Sequence, residues 1–440
     1  MPSQPPRHRR AAHSRKAPPR PTAGEVYRAR FGYAPGVSRR RRVVLRWSRV
    51  AAAGAAIVIV VATGLGWGEA SDVSGGFQHS SALSRSAPHS SGGAQNILLM
   101  GLDTRKDQNG DDLPASVLSQ LHAGDGQEGG YNTNTLILVH IPADGKNIVA
   151  FSVPRDDFVT VDGLDVAKAK IKEAYGREKA QTEDTLSNEG VTDQHILETR
   201  GREAGRAETL QTVRELTGVP IDRFAEVSLV GFYDLAGALG GVQVCVNHAV
   251  HDDYSGADFS AGTHVLNAPQ ALAFVRQRHG LDNGDLDRTH RQQAFLVSVL
   301  HQLRSAGTFT DVGKLNRLVG VAQRDVVLSD GWDLVDWLQQ MAAPTDQHIE
   351  FSTLPVQRYA SIDGQDVNIV DPTAIRSRIH DAFAAADGAD GAAPSAPAPS
   401  VAGTSAASAR PSGPPDTVEP GSGPDNGRPV TNADGIPCVN

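Results

Sequence analysis

Eighteen consecutive residues without a charge, Val50 to Trp67 (VAAAGAAIVIVVATGLGW), stand directly behind Arg39-Arg40-Arg41-Arg42, Arg46 and Arg49. A run of this length is near the minimum for a helix that crosses the hydrocarbon of a bilayer. Trp47 and Trp67 mark its ends, where interfacial tryptophans belong. Arginine on the N-terminal flank alone sets the orientation, with the head in the cytoplasm and the following chain outside. A buried core helix and a cleaved signal peptide, with Gly68-Glu69-Ala70 as the cleavage site, are the alternatives. The long basic stretch before the run favours a retained anchor. The expectation is a single-pass protein of the cell membrane.

Charge divides the chain at the same place. Residues 1–49 carry 14 Lys and Arg against Glu25 alone, about +13, which leaves 28 basic and 49 acidic residues for the rest. A basic head on an acidic body means two different surroundings. The head lacks helical periodicity, so it reads as a solvated cytoplasmic tail rather than a nucleic-acid binder, and no nucleic-acid partner is expected.

Residues 68–94 are rich in Ser, Gly and His, and read as a flexible tether. Residues 385–440 are rich in Ala, Pro, Ser and Gly, which cannot bury enough apolar surface to fold. The folded part is therefore placed at 95–384. Within it, short apolar runs at Ile97–Met100, Thr135–Ile141, Asn147–Val153, Phe224–Val230, Val242–Val246 and His348–Leu354 read as strands. Helical segments fall around Leu210–Leu216, Phe232–Leu239, Pro269–Val275, Arg288–Leu303 and Trp332–Met341. This alternation predicts an α/β domain, a central mixed β-sheet flanked by helices. The polar stretch 177–206 reads as a surface excursion.

Charged residues gather just after the strands, where open α/β sheets place ligands. Asp103 and Arg105 follow the first strand, Arg155 and Asp156 the third. Lys170 and Lys172 lie in a charge run that taken alone is a solvated face. The densest group is Arg276-Gln277-Arg278-His279 followed by Asp285, Asp287, Arg288, Arg291 and Gln292. Four arginines around one loop repel unless an anion or a carboxylate offsets them, and the planar guanidinium fork matches phosphate. No G-x-S-x-G, H-E-x-x-H, P-loop or C-x-x-C motif is present, so serine hydrolase, zinc and redox chemistries lack their residues.

The segments NILLMGLDTR, NTNTLILVHI, FSVPRDD, KIKEAYG, FAEVSLVGFYDLAGALGGVQV, ALAFVRQRHG and GDLDRTHRQQ, in that order, resemble the LytR-CpsA-Psr family over about 95–305. The resemblance implies an enzyme anchored in the membrane. Such an enzyme transfers a glycopolymer, such as teichoic acid, capsule or arabinogalactan, from an undecaprenyl-pyrophosphate carrier to peptidoglycan as a phosphodiester. It also implies an apolar tunnel for the polyprenyl tail and Mg²⁺, or Mn²⁺, at the pyrophosphate.

By the same resemblance Asp103 is a metal ligand, Arg105 a nearby basic residue, and Arg155 the arginine of a strand-end motif that reads V-P-R-D here. Arg276 and Arg278 match an R-x-R-H pair, and Asp285, Arg288, Arg291 and Gln292 match G-D-x-x-R-x-x-R-Q. Lys170 and Lys172 fall on a K-I-N segment. The family places a second metal-binding Asp before its second strand. This chain has Asn134 there, a neutral ligand, and the insertion Lys106–Gly130 separates it from Asp103.

The arginines Arg155, Arg276, Arg278, Arg288 and Arg291 are expected to grip the pyrophosphate, with Arg105, Lys170, Lys172 and Gln292 as further substrate contacts. Asp156 or Asp285 serves as general base or orients an arginine. Cys245, on a strand, and Cys438, near the end of the tail, would both lie on the oxidising side; a disulfide between them is the expectation, with two free thiols or pairing with another molecule as the alternatives. Two other functions fit the same residues: a regulatory binder of lipid-pyrophosphate, and a pyrophosphatase acting on the lipid carrier.

Overall fold

The computed structural model describes residues 76–84, 86–123, 130–281, 285–306, 308, 312–342, 347–388 and 436–440. The basic head, the apolar run 50–67 and residues 389–435 lie outside them. Among the described residues no helix is long and apolar enough to cross a membrane.

The strands of the main sheet are β1 (Gln78–Ser80), β2 (Gln95–Asp103), β3 (Asn132–Ile141), β4 (Asn147–Ser152), β7 (Arg223–Ser228), β12 (Val326–Ser329) and β13 (His348–Thr353). They lie in the order β1-β12-β7-β2-β3-β4-β13. β2 runs parallel to β7 and antiparallel to β3, and β4 is antiparallel to β3 and parallel to β13, so the sheet is mixed. Helices cover both faces. Leu98, Met100, Leu136, Leu138 and Phe151 pack with Leu210, Val213, Ile375 and Ile379. Their sequence neighbours Ile97, Val139 and Ile148 face Leu315, Val319, Trp332 and Val335 on the other side. This is the period-two alternation of strands buried on both faces. Each fully buried Leu, Val or Phe contributes roughly 1.5–3 kcal/mol.

The helices among the described residues are α1 (Ala115–Gln120), α2 (Ala174–Asn188), α3 (Gln194–Thr217), α4 (Leu229–Ala238), α5 (Ala268–Arg276), α6 (Asp285–Ser305), α7 (Val312–Asp325), α8 (Leu334–Ala342) and α9 (Pro372–Ala386). The small strands pair as β5 (Phe158–Thr160) with β6 (Lys168–Lys170), β9 (Val250–Asp252) with β10 (Ala257–Phe259), and β14 (Arg358–Ile362) with β15 (Gln365–Ile369). β8 (Val242–Val246) lies between β11 (Gly262–Leu266) and β16 (Cys438–Val439). A second apolar core joins β8, β10, α5 and α6 with Leu118 and Leu121 from the α1 region.

Several boundaries differ from the sequence expectations. The stretch 68–94 is not tether throughout. Phe77 is buried, β1 is the edge strand, and the Ser80 hydroxyl donates to Glu203. Hydroxyls hold this segment where apolar periodicity is missing. The run 224–230 stops being a strand at Ser228, whose hydroxyl accepts from Gly231 N–H and caps α4. The C-terminal helix reaches Ala386, past the predicted boundary at 384.

The polar stretch 177–206 is no surface excursion. It forms most of α2 and the first half of α3, and α3 is buried along one side. Arg206 pairs bidentately with Glu226, which is wholly buried in β7, at 2.9 and 3.0 Å. Arg202 and Lys179 both reach Glu198, at 2.6 and 2.8 Å. Gly205 lets the helices close, since a Cβ there would stand 2.7 Å from the Tyr175 carbonyl oxygen. Paired charges can be buried where lone ones cannot, and such pairs leave no apolar stripe to read.

The tail ends in structure. β16 pairs parallel to β8 with Cys438 opposite Cys245, and the two sulfurs form the expected disulfide. Ile436 and Val439 are buried beside it.

Candidate active site

β2 and β3 come apart from ideal pairing at one point. Gly101 faces Thr135 and Leu102 faces Thr133, so Asn134 is the extra residue of a bulge. A bulge re-aims a side chain at the end of a strand. Gly101 is needed for the approach, because a Cβ there would meet the Thr135 Cβ at 2.9 Å. The result brings Asn134 to Asp103 despite the long insertion between them. Asn134 Nδ2 donates to Asp103 Oδ2 at 2.7 Å, and Asn134 Oδ1 accepts from Arg155 Nη1 at 2.7 Å.

Arg155 leaves the turn after β4, behind Pro154, and its side chain is almost wholly buried. Its Nε lies 3.1 Å from Asp285 and 3.4 Å from Asp156. Asp285, the first residue of α6, also stands 3.0 Å from Arg288 and 3.5 Å from Arg278. Asp156 is 2.7 Å from Lys172 and 3.7 Å from Lys170. Five cations thus surround two carboxylates, an excess of positive charge that an anion would offset. Nε of Arg155, Nε of Arg288 and Oδ1 of Asp285 are buried without a hydrogen-bond partner.

Burial and the neighbouring Arg155 lower the guanidinium of Arg288 to about 9 and act in the same direction on Arg278. Both report a cation held under like-charge stress. Burial pushes the Asp156 carboxyl up, but Arg155 and Lys172 outweigh it and hold Asp156 below the ordinary carboxylate range. Burial lowers Lys172. Asp157, one residue on, is wholly buried and raised well above the usual range by that burial, with Asn368 Nδ2 donating to it at 3.0 Å. It lies buried under the site. Sequence reading missed it, since nothing distinguishes it from Asp156 except the direction of its side chain.

A second charged group adjoins the first through Asn134. Arg105 pairs with Asp103 at 2.5 Å and donates to the Ala123 carbonyl. Arg276 donates to the carbonyls of Leu121 and His122 at 2.7 and 3.2 Å. Arg276 therefore stands with Asp103 and Arg105 and has no ion pair to Asp285.

Arg291 departs further from the expectation. Its side chain is fully buried, over the Phe274 ring at 4.8 Å. Nε donates to the Asn440 main-chain oxygen at 2.5 Å and Nη1 to Gln277 at 2.7 Å. The arginine predicted as a pyrophosphate ligand instead holds the returning C-terminal strand. Three residues separate Arg288 from Arg291, yet the packing of β16 turns them to different partners. Gln292 donates to the Val275 carbonyl at 3.4 Å, a link between α5 and α6. Gln293, which the sequence did not single out, is buried and donates to Ser152 Oγ at 2.9 Å, bracing the strand end that carries Arg155.

Among the described residues no three of His, Cys, Asp and Glu gather into a metal cage. Asp103 is the one carboxylate of the two ligands expected from sequence, and it is 23% exposed. The Asn134 oxygen expected to be the other is taken by Arg155.

A model of the LytR_cpsA_psr family matches residues 69–381. The chain belongs to that family. It is 39% identical over 300 residues to the cell wall biosynthesis protein LcpA of Corynebacterium glutamicum, covering 67% of this chain and 57% of LcpA. It is 24% identical over 253 residues to the polyisoprenyl-teichoic acid–peptidoglycan teichoic acid transferase TagU of Bacillus licheniformis, covering 57% of this chain and 66% of TagU. The crystal structure of TagV of B. subtilis aligns over 67% of this chain and 97% of its own, with 23% identity and a TM-score of 0.46. The chain thus spans little more than half the length of LcpA. All seven motifs read from the sequence fall inside the matched region of this LytR_cpsA_psr protein.

Proposed function

We propose that this chain transfers a glycopolymer from a polyprenyl-pyrophosphate carrier to peptidoglycan outside the cell membrane, with Val50–Trp67 as its anchor. The observation that carries the reading is the convergence of Arg155, Arg278 and Arg288 on Asp285 at the end of the main sheet. Phosphoryl transfer asks a protein for positioning and charge stabilisation. Guanidiniums crowded around a shared carboxylate are set to turn to a pyrophosphate when it arrives. In the reaction a sugar hydroxyl of peptidoglycan attacks the phosphorus next to the glycan. The bond from that phosphorus to the bridging oxygen breaks, and polyprenyl phosphate leaves with its electron pair.

Arg155, Arg278 and Arg288 offset the charge that grows on the bridging and equatorial oxygens. Arg155, Lys172 and Lys170 hold the Asp156 carboxyl below its ordinary range, which leaves it a weak base and an orienting group for Arg155. Asp285, released from its arginines by the bound phosphates, receives the hydroxyl proton. Mg²⁺, where it takes part, would bind Asp103 together with phosphate oxygens of the substrate, as this cation commonly does. It would supply further neutralisation of the pyrophosphate. Leu118 and Leu121, beside the carbonyls that bind Arg276, belong to the second apolar core.

The test incubates the full chain with a short-chain lipid-pyrophosphate glycan, with and without peptidoglycan oligomers. Transfer that requires the acceptor supports the reading. Release of lipid phosphate and glycan phosphate without acceptor points to a pyrophosphatase. Binding without turnover points to a sensor.

A further inference from the structure

The hairpin β9–β10 has an exposed aromatic at its tip. Tyr254 is 77% exposed, the most exposed of the large apolar side chains among the described residues. Its ring lies against the His279 imidazole, with centroids 4.4 Å apart and planes tilted by 33°. His279 follows Arg278 directly, and its side chain is itself 63% exposed. The Tyr254 ring therefore packs on the imidazole and leaves its outer face to solvent, beside the chain that carries a guanidinium of the Asp285 cluster.

This surface is built, not incidental. Asp252 is buried and accepts from Tyr254 N–H at 3.0 Å and from the Ser255 hydroxyl at 2.8 Å. It also accepts from the Arg278 main-chain N–H and lies 3.5 Å from His279 Nδ1. One carboxylate thus fixes the backbone under Tyr254, under Arg278 and beside His279. Gly256, at φ +75°, closes the turn from the other side. A Cβ there would touch the His122 ring at 3.0 Å. His122 belongs to the turn whose carbonyls bind Arg276. The hairpin tip is wedged between the two arginine groups, so the position of its aromatic is tied to theirs.

We propose that Tyr254 with His279 forms a stacking subsite for a sugar ring attached to, or about to be joined to, the phosphate bound by Arg278. An aromatic face receives the C–H face of a sugar, while the phenol hydroxyl and the imidazole take hydrogen bonds from its rim. A tyrosine kept in water at this exposure gains nothing in the folded chain by itself. Two rigid rings beside a phosphate-sized cluster of cations match the chemistry of a sugar phosphate. The sugar belongs either to the donor glycan or to the peptidoglycan acceptor. The inference rests on the transferase reading above.

The experiment compares the full-length protein with Tyr254→Ala, Tyr254→Phe and Tyr254→Trp. KM is measured for a short-chain lipid-pyrophosphate glycan and, separately, for a soluble peptidoglycan disaccharide-peptide. Tyr254→Ala is expected to raise one KM about tenfold, equivalent to about 1.4 kcal/mol, with kcat changed less than twofold. Phe and Trp should restore it, and the substrate whose KM moves identifies the source of the sugar. Unchanged KM values for both substrates, or a loss that Phe and Trp do not restore, overturn the subsite. If the wild type shows no transfer at all, the transferase reading fails on its own. The subsite is then tested by saturation-transfer NMR with the same soluble disaccharide-peptide and with glycan phosphate freed of lipid. Transfer to sugar ring protons that disappears in Tyr254→Ala supports it, and absence of transfer from the wild type overturns it.

Discussion

Arg155 Nη1 donates to Asn134 Oδ1 at 2.7 Å, and this one bond fixes which way the Asn134 amide faces. A guanidinium can only donate and an ionised carboxylate can only accept. An amide placed between Arg155 and Asp103 must therefore turn its oxygen to the first and its nitrogen to the second. A carboxylate at this position could not bridge the two. Asn134 couples the Asp103 group to the Asp285 group through Arg155.

Asn134→Asp replaces that donor with a second negative charge beside Asp103. Transfer measured without added divalent cation should fall at least tenfold, consistent with the loss of a charge-assisted bond of about 1.5–3 kcal/mol. Mg²⁺ or Mn²⁺ should bind the variant more tightly than the wild type in calorimetry of the substrate-free protein. Equal cation affinity in the two proteins would refute the bridging role.

Arg278 is the one guanidinium of the Asp285 cluster whose side chain is about half exposed, so its removal tests function with least damage to the fold. Arg278→Ala should lower turnover on the order of a hundredfold, as for the loss of one donor to developing charge. Its unfolding midpoint in denaturant should stay within about 0.5 kcal/mol of wild type. Arg155→Ala, by contrast, leaves Asp156 and Asp285 short of a buried partner and should destabilise by about 3 kcal/mol. A well-folded Arg278→Ala protein with near-normal transfer would count against the arginine site.

Cys438→Ser removes the link that closes Cys245 to Cys438 across 193 residues. The expected loss is about 2–4 kcal/mol, read as a lower midpoint in urea. A reductant should lower the wild type to the level of the variant and leave the variant unchanged. Release of β16 also strips Asn440 from Arg291, so that guanidinium, now buried with Gln277 alone, should become accessible to arginine-modifying reagents. Peptide mapping that finds both thiols free would remove the basis for each expectation.

Glu208, in α3, is raised by burial from 4.5 to about 7, with Thr212 its hydroxyl partner. Its native pKa lies above its unfolded one, so the folded state holds the extra proton between the two. Stability is then full below about pH 4.5 and falls as pH rises through about 7. Glu208→Gln should abolish that fall and stabilise the protein above pH 7 by roughly 2 kcal/mol. Parallel stability–pH curves for the two proteins between pH 5 and 8 would show that Glu208 titrates normally.

Much of the main sheet was legible in advance, because its strands are short, apolar and bounded by turn residues. Ile97–Met100, Thr135–Ile141 and Asn147–Val153 fall in β2, β3 and β4. The leucines and valines at 210, 213 and 216 lie on the buried side of α3. The first half of that helix was misread as an excursion. Arg202, Arg206 and Glu208 are buried there against partners such as Asp107, Glu226 and Thr212, which leaves no periodic apolar trace.

The amino-acid order by itself determined the family, the alternation of strand and helix, and which segments carry charge at the strand ends. Local propensity and composition are enough for these. Only the tertiary structure decided where each charge points. The bulge at Gly101/Leu102 swings Asn134 between Asp103 and Arg155, and the return of β16 draws Arg291 to Asn440 while Arg288, one turn away, stays with Asp285. Side-chain direction depends on backbone register and on partners as far as 149 residues away in the chain, and both are set only when the chain packs.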